Sequence, residues 1–307
     1  MDFFVTILGS SSATFHKNRG LTSHVVSYKG EHFLIDCGEG TQIQMQRFGT
    51  PLQKISRIFI SHLHGDHFYG LIGLLSTYHL FHRKAPLHIY SHKPLQQIIE
   101  MQLEASSTIL SYPLYFHDLQ EGQSGTVFEN ENILIETFPL VHSIPTNGFV
   151  FKEKNVQRRL VKEKIKEMSL PYEAYETLKS GNDFYLDDGS MIRCDEVTLK
   201  PLSPRIYAFC SDTGYTTDVL PFIANATLLY HEATFLSGDT PNKRLEKYHA
   251  TAKEAASIAR QANARQLVIG HFSARYNILT PLLEEARQAF QNTVPAIDGK
   301  RYVLIHD

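Results

Sequence analysis

The sequence SHLHGDH at residues 61–67 constrains the fold of this chain more than any other stretch. It follows the apolar run ISRIFI, which is rich in β-branched and aromatic residues and is typical of a buried strand. His62 and His64 are two residues apart, so their side chains share one face of an extended backbone. A glycine then permits a sharp turn before Asp66 and His67, which begin the next helix. The segment therefore offers two pairs of metal-ligand side chains in two directions, which suits two metal ions.

Three further candidate ligands stand at the ends of strand-like runs elsewhere in the chain. His142 ends FPLVH, Asp212 follows IYAFCS and His271 follows QLVIG. Strand ends that converge on one edge of a sheet are where open sites form in α/β proteins. Imidazole nitrogens and carboxylate oxygens are the ligands that Zn²⁺ takes in open catalytic sites. Because a bridging carboxylate suits a two-metal site, we expect these residues to complete it.

A second constellation joins a carboxylate to an imidazole. Glu232 in HEAT and His249 in YHAT are candidates for a pair in which the carboxylate fixes the histidine for proton delivery. We expect His231 to be structural. Of the sixteen histidines in the chain, nine have no partner motif and are treated as background: His16, His24, His32, His79, His82, His88, His92, His117 and His306.

Composition narrows the range of functions. The chain has 307 residues, enough for one large domain or two smaller ones. Its formal net charge is −2, so nucleic acid binding would have to use a local basic patch. An odd number of cysteines (Cys37, Cys194 and Cys210) fits a reducing compartment. The start MDFFVTILGS predicts a strand, and no apolar run reaches membrane-spanning length, so we expect a soluble, cytoplasmic protein.

The order of strand-like and helix-like segments predicts an α/β protein. Two strand-rich halves, each with helices, favour an αββα sandwich of two mixed sheets with flanking helices over 1–307. Helix signals include a capping box at Thr251 and Glu254. Residues 152–200 interrupt the pattern and predict an inserted arm whose charged start, KEKNVQRRLVKEKIKEM, carries a net excess of four positive groups. A solvated helix face explains such a run equally well.

Several of these motifs together resemble a known family. HLHGDH resembles the signature of the metallo-β-lactamase fold superfamily. LIDCGEGTQIQM, HEATF, YHATA and HFSARY narrow the resemblance to the ribonuclease Z family, in its short form, whose members are tRNA 3′-processing endonucleases. The similarity extends over nearly the whole chain, from ILGSSSA to GHFSARY. The first motif is specific for the superfamily, and the other motifs are specific for the family.

The resemblance implies a catalytic centre with two Zn²⁺ ions. His62, His64 and His142 are implied as ligands of the first ion, and Asp66, His67 and His271 as ligands of the second. Asp212 is implied as the bridge between them. An activated water would attack the scissile phosphorus. Asp66 would also accept a proton, and Glu232 with His249 would protonate the leaving 3′ oxygen. The product would be a tRNA with a 3′ hydroxyl and a trailer with a 5′ phosphate.

The resemblance also implies a precursor tRNA as substrate and a homodimer as the assembly. Lys17 and Arg19 in FHKNRGLTS match a basic loop near the RNA end, where cations position phosphates. The arm, including Arg158 and Arg159, would grip the tRNA. The chain departs from the family pattern in that loop, where Phe15 stands in place of proline, and the arm lacks the usual Gly-Pro pair.

Two other functions remain compatible with the sequence. A metal-dependent phosphodiesterase or 3′ exoribonuclease of the same fold would keep the metal ligands and change the substrate. A non-catalytic binding module is the third hypothesis. It predicts an incomplete ligand set, whereas every expected ligand type is present here.

Overall fold

The computed structural model describes residues 3–154, 156–239 and 248–306, and within them two seven-stranded mixed sheets form. Strands are numbered along the chain. The first sheet contains β1 (Phe3–Gly9), β2 (Ser23–Tyr28), β3 (Glu31–Ile35), β4 (Ile55–Phe59), β5 (Leu87–Ser91), β6 (Leu114–Asp118) and β18 (Arg301–Leu304). Their spatial order is β18-β1-β2-β3-β4-β5-β6. The pairs from β18 to β3 are antiparallel and those from β3 to β6 are parallel.

The second sheet repeats this arrangement. It contains β7 (Gly125–Glu129), β8 (Ile133–Pro139), β9 (Asn147–Glu153), β14 (Ile206–Cys210), β15 (Leu228–Glu232), β16 (Leu267–Gly270) and β17 (Thr293–Pro295). The spatial order is β17-β16-β15-β14-β9-β8-β7, with parallel pairs from β17 to β14 and antiparallel pairs from β14 to β7. Strands β8, β14, β15 and β16 therefore all end at the same edge of this sheet.

Both faces of the first sheet are buried, because successive side chains of a strand point to opposite faces. Phe33 and Ile35 of β3 face the second sheet, where they join an apolar core with Phe149 and Phe209. Leu34, between them, belongs to a separate core on the other face. The central strands are consequently apolar on both faces, as expected for strands in a four-layer protein.

Helices cover the outer faces of both sheets. They are α1 (Thr41–Arg47), α2 (Gly65–Phe68), α3 (Leu71–Leu80), α4 (Pro94–Ala105), α8 (Leu220–Ile223), α9 (Ala252–Gln261) and α10 (Thr280–Ala289), with a 3₁₀ turn at Leu52–Lys54. Three short helices, α5 (Lys162–Glu167), α6 (Ala174–Lys179) and α7 (Cys194–Val197), lie instead in the segment between the β9 and β14 strands. The predicted capping box is confirmed, since the Thr251 hydroxyl accepts from the Glu254 backbone and the Glu254 carboxylate accepts from the Thr251 backbone. The predicted αββα sandwich is confirmed.

The predicted arm is a small subdomain between β9 and β14. It contains two short antiparallel strand pairs, β10 (Arg159–Leu160) with β13 (Thr198–Leu199) and β11 (Phe184–Tyr185) with β12 (Met191–Ile192). It has its own apolar core, formed by Leu170, Ala174, Leu178, Ile192, Cys194 and Val197. Residues 152 and 153 still belong to β9, so the segment outside the two sheets begins after them.

A buried ion pair joins the two ends of the arm. The Arg205 guanidinium donates from Nε to Glu153 Oε2 at 3.0 Å and from Nη2 to Glu153 Oε1 at 2.8 Å. The Tyr28 hydroxyl donates to Glu153 Oε1 at 2.8 Å. Burial opposes the charge on Glu153, but the hydrogen bonds from Arg205 and Tyr28 outweigh it and lower the pKa of the carboxyl to about 2.

No helix in the described part of the chain combines the length and the apolarity needed to cross a lipid bilayer.

The first prediction concerns the Glu153–Arg205 ion pair. Glu153→Gln should destabilise the protein by about 3 kcal/mol at neutral pH, because it removes the buried negative charge that Arg205 contacts through two nitrogens. The folded pKa of about 2 lies below the ordinary value of 4.5, so this contribution is complete above pH 4.5 and is lost as the pH falls toward 2. Urea unfolding of both proteins across this pH range measures the difference in the free energy of unfolding.

Glu136→Gln is the matched control, because Glu136 forms a half-exposed ion pair with Lys152 on the neighbouring strand. Its cost should stay below about 1 kcal/mol. Equal costs for the two variants at neutral pH would contradict a stabilising role for the buried pair.

Candidate metal centre

The seven predicted ligands converge at one end of the sandwich. They form two clusters. The first contains His62, His64, His142 and Asp212, and the second contains Asp66, His67 and His271. Within each cluster, one ligand atom from every residue lies within 4.8 Å of those from the others. Each ligand follows the end of a strand or, for Asp66 and His67, lies in the first turn that follows β4. The predicted convergence of these residues is therefore confirmed.

Asp212 lies between the two clusters, with one carboxylate oxygen directed toward each. Its Oδ2 is 3.7 Å from His62 Nε2 and 3.9 Å from His142 Nε2. Its Oδ1 is 3.5 Å from His67 Nε2 and 3.2 Å from His271 Nε2. This is the arrangement expected of a carboxylate that bridges two metal ions.

Orphaned polar atoms show that the centre fits metal ions. The Nε2 atoms of His62 and His67 and the Oδ1 atom of Asp212 are buried without a hydrogen-bond partner among the described residues. Buried polar groups almost always have such a partner, so these atoms need another one. A divalent cation at each cluster would supply it, since imidazole and carboxylate are suitable ligands.

The electrostatics of the centre lead to the same conclusion. Burial lowers the pKa of His62, His64 and His142, which keeps these imidazoles neutral and available as ligands. Burial also opposes a charge on His67, but Asp212, with Asp66 and Asp36, outweighs it and raises the pKa of His67. The second cluster therefore carries an excess of negative charge, which a divalent cation would neutralise.

A buried carboxylate that the sequence analysis missed orients two of the histidines. Asp36 Oδ2 accepts from His67 Nδ1 at 2.7 Å. It also accepts from the Ser61 hydroxyl at 2.9 Å, and that hydroxyl lies 3.0 Å from His62 Nδ1. Hydrogen bonds of this kind fix the tautomer of a metal-binding histidine and leave Nε2 for the metal. Asp36 stands directly after β3, the same position relative to a strand as the predicted ligands, and this signal was available in the sequence.

A second buried carboxylate, Glu232, has a parallel role. It accepts from His249 Nδ1 at 2.9 Å, which confirms that the predicted carboxylate–imidazole pair is in contact. It also accepts from the Thr234 hydroxyl at 2.6 Å, and that hydroxyl lies 2.9 Å from His271 Nδ1. Burial opposes a charge on His249, but Glu232 outweighs it and raises the pKa of the imidazole to about 9. Sequence analysis missed Thr234.

Close backbone packing positions the ligand-bearing loops. A Cβ at Gly70 would lie 2.2 Å from the carbonyl oxygen of Gly38, and a Cβ at Gly38 would lie 2.4 Å from that of Asp66. Only glycine permits this approach between the turn after β3 and the helix that carries Asp66. Asp36 and His271 both adopt left-handed backbone conformations, with φ of 56° and 58°, a strain of about 1–3 kcal/mol per residue that is typical of functional sites.

The predicted basic loop lies beside the second cluster. The backbone N–H of Ala13, two residues before the loop, donates to Asp66 Oδ2 at 2.8 Å. Lys17 is exposed. Arg19 is half-buried, donates to the Tyr276 carbonyl at 2.9 Å and lies over the Phe272 ring at 5.8 Å. The loop thus presents one exposed lysine and one anchored arginine.

The arm residues predicted to bind substrate differ from one another. The Arg158 guanidinium forms an ion pair with Asp195 and donates from Nε to Thr198 Oγ1 at 2.6 Å. Arg159 is exposed and forms no ion pair with another described residue. Over 152–200 the sequence contains ten lysines and arginines and ten acidic residues, so the excess positive charge is confined to the start of the arm.

Comparison with solved structures identifies the class of protein. The metallo-β-lactamase fold protein YhfI from Bacillus subtilis superposes with a TM-score of 0.67 over 99% of this chain and 100% of its own, at 20% identity. The short form of human tRNase Z superposes with a TM-score of 0.71 over 99% of this chain and 100% of its own, at 27% identity. The fold and the two side-chain clusters define a protein of the metallo-β-lactamase fold with residues that could hold metal ions.

Sequence comparison identifies the family. Residues 3–160 match the model of a family described as Anti-Pycsar protein Apyc1. The ribonuclease Z of Phocaeicola vulgatus is 39% identical over 96% of this chain and 95% of its own length, and that of Cytophaga hutchinsonii is 42% identical over 99% and 97%. The chain belongs to the ribonuclease Z family, which confirms the resemblance inferred from its motifs.

The role of Asp36 makes the second prediction. Asp36→Asn should weaken metal binding about 10- to 100-fold, because it removes the charged acceptor that orients His67 and, through Ser61, His62. Competition with a chromogenic chelator measures the affinity. Asp118→Asn, which changes an exposed carboxylate at the end of β6, is the control and should leave metal affinity unchanged. Equal affinities in both variants would contradict an orienting role for Asp36.

Proposed function

We propose that this chain is a hydrolase that uses two Zn²⁺ ions to remove the 3′ trailer from tRNA precursors by one endonucleolytic cut. The observation that carries the proposal is the position of Asp212 between two histidine clusters, beside a charged His249–Glu232 pair. The first ion is proposed to be held by His62, His64 and His142, and the second by Asp66, His67 and His271. Asp212 is proposed to hold both.

When held by these residues, the ions would supply Lewis acidity to activate the attacking water and stabilise charge on the phosphate. The protein supplies the proton for the leaving oxygen. His249 donates its Nδ1 proton to Glu232, so Nε2–H remains free as the donor to substrate. With a pKa of about 9, the imidazole is protonated at neutral pH. Its ring centroid lies 5.1 Å from that of His142, which places this proton next to the first ligand cluster.

Mapping the products tests the proposal against its closest alternative. A precursor tRNA labelled in the trailer should release one intact trailer with a 5′ phosphate, and His64→Ala should abolish the cut. Release of mononucleotides would instead identify a 3′ exoribonuclease. Hydrolysis of small phosphodiesters without any tRNA cleavage would identify a general phosphodiesterase.

The substrate contacts and the dimer belong to this proposal as predictions from the family resemblance, and the cytoplasmic location belongs to it as a prediction from composition. Lys17 and Arg19 are proposed to position the RNA phosphates beside the second cluster, which is supported by the contact between Ala13 and Asp66. Arg158 is proposed to organise the arm through Asp195 and to contribute to substrate binding less than Arg159 does.

The role of His249 makes the third prediction. His249→Ala should reduce RNA cleavage about 10²- to 10⁴-fold, because the leaving 3′ alkoxide needs a proton. Hydrolysis of bis(p-nitrophenyl) phosphate should change little, because p-nitrophenolate leaves without one. His82→Asn, which changes an exposed histidine outside the centre, is the control for both substrates. An equal loss on both substrates would show that His249 serves the metal centre rather than the leaving group.

The start of the arm makes the fourth prediction. Arg159, Lys162 and Lys166 are exposed and form no ion pair within the described part of the chain. Changing all three to alanine should raise KM for precursor tRNA, leave hydrolysis of small phosphodiesters intact and reduce the salt dependence of RNA binding. Lys164→Ala is the matched control, because Glu167 already neutralises Lys164 at 2.9 Å. A parallel loss on both substrates would contradict an RNA-binding arm.

A further inference from the structure

The Thr234 hydroxyl lies at the junction of the two catalytic constellations. Its Oγ1 is 2.6 Å from Glu232 Oε2, 2.9 Å from His271 Nδ1 and 3.4 Å from His249 Nδ1. The side chain is 2% exposed, so water does not compete for these contacts. Thr234 stands two residues after Glu232, which places both side chains on the same side of the extended chain at the end of β15.

The direction of each hydrogen bond follows from the number of protons available. A hydroxyl carries one proton, and an ionised carboxylate can only accept. Glu232 Oε2 already accepts from the Thr234 backbone N–H at 3.0 Å, and the hydroxyl makes a shorter contact to the same oxygen. The hydroxyl proton is therefore committed to Glu232, and toward His271 the Thr234 oxygen can act only as an acceptor.

This commitment fixes the tautomer of His271. The imidazole must carry its proton on Nδ1 in order to donate to Thr234. In the neutral imidazole that a metal ion requires, Nε2 is then the nitrogen with the free lone pair, and it lies 3.2 Å from Asp212 Oδ1 and 3.4 Å from Asp66 Oδ2. These are the two carboxylates with which His271 shares the second metal position.

We propose that Thr234 is a positioning residue that orients His271 for the second metal ion and links this ligand to the Glu232–His249 pair. The role of the Glu232–His249 pair in this inference rests on the proposed function. The predicted effect of Thr234 is on metal binding alone. The first cluster has its own relay, in which Ser61 connects His62 to Asp36. Thr234 should therefore affect one metal ion and not the other.

Stepwise titration of the metal-free full-length protein with Zn²⁺ against a chromogenic chelator tests this proposal. Thr234→Val keeps the shape of the side chain and removes the hydroxyl, and it should weaken one of the two Zn²⁺ sites about 10- to 100-fold. The other site should stay within about threefold of wild type. Thr234→Ser restores the hydroxyl and should return both affinities to within about threefold of wild type.

Three results would overturn the proposal. The first is two unchanged affinities in Thr234→Val, and the second is an equal loss at both sites. The third is a loss in Thr234→Ser as large as that in Thr234→Val, since this would show that the methyl group rather than the hydroxyl matters. Because the titration contains no RNA, its result does not depend on the proposed tRNA cleavage. That cleavage is tested separately by product mapping.

Discussion

Two buried carboxylates, Asp36 and Glu232, organise the whole centre. Each accepts directly from one histidine and, through a hydroxyl, reaches a second one: His67 and His62 for Asp36, and His249 and His271 for Glu232. In a low-dielectric interior such networks are costly unless every member is satisfied. Here three of the four imidazoles direct Nε2 toward Asp212, at 3.2–3.7 Å, and the fourth, His249, is proposed to hold a proton for the substrate.

The scaffold delivers these side chains through the similarity of its two halves. Asp36 follows β3 in the first sheet, and Glu232 ends β15 in the second, each within the parallel part of its sheet. Parallel strands end at the same edge, so the carboxylates and the ligands of neighbouring strands meet there. The left-handed conformations at Asp36 and His271 are strains that the surrounding packing maintains.

The fold and the convergence of the candidate metal ligands were predictable from the sequence for a physical reason. Ligand pairs close in sequence, such as His62 and His64, have a fixed relation on an extended strand, and polar residues after apolar runs mark the strand ends. Alternation of strands and helices likewise predicted the αββα sandwich. Asp212, although remote from the ligands in sequence, was found because it ends such a run.

The residues that contact the candidate ligands, and the ion pairs of the arm, were not predictable because they depend on contacts that no local sequence pattern specifies. Thr234 and His271 are 37 residues apart, and the hydroxyl contacts the imidazole only because β15 and β16 are neighbours. The charge at the start of the arm was read correctly from the sequence, but the pairing of Arg158 with Asp195, 37 residues later, emerges only from the fold of the arm. Sequence spacing therefore identifies ligands more readily than the groups that orient them.

The most direct test is the position of metal ions in crystals of the Zn²⁺-loaded protein, located by anomalous diffraction at the zinc absorption edge. Two peaks should lie on either side of Asp212, about 3.5–4 Å apart. One should contact His62, His64 and His142, and the other Asp66, His67 and His271. A single peak, or peaks away from these side chains, would contradict the account.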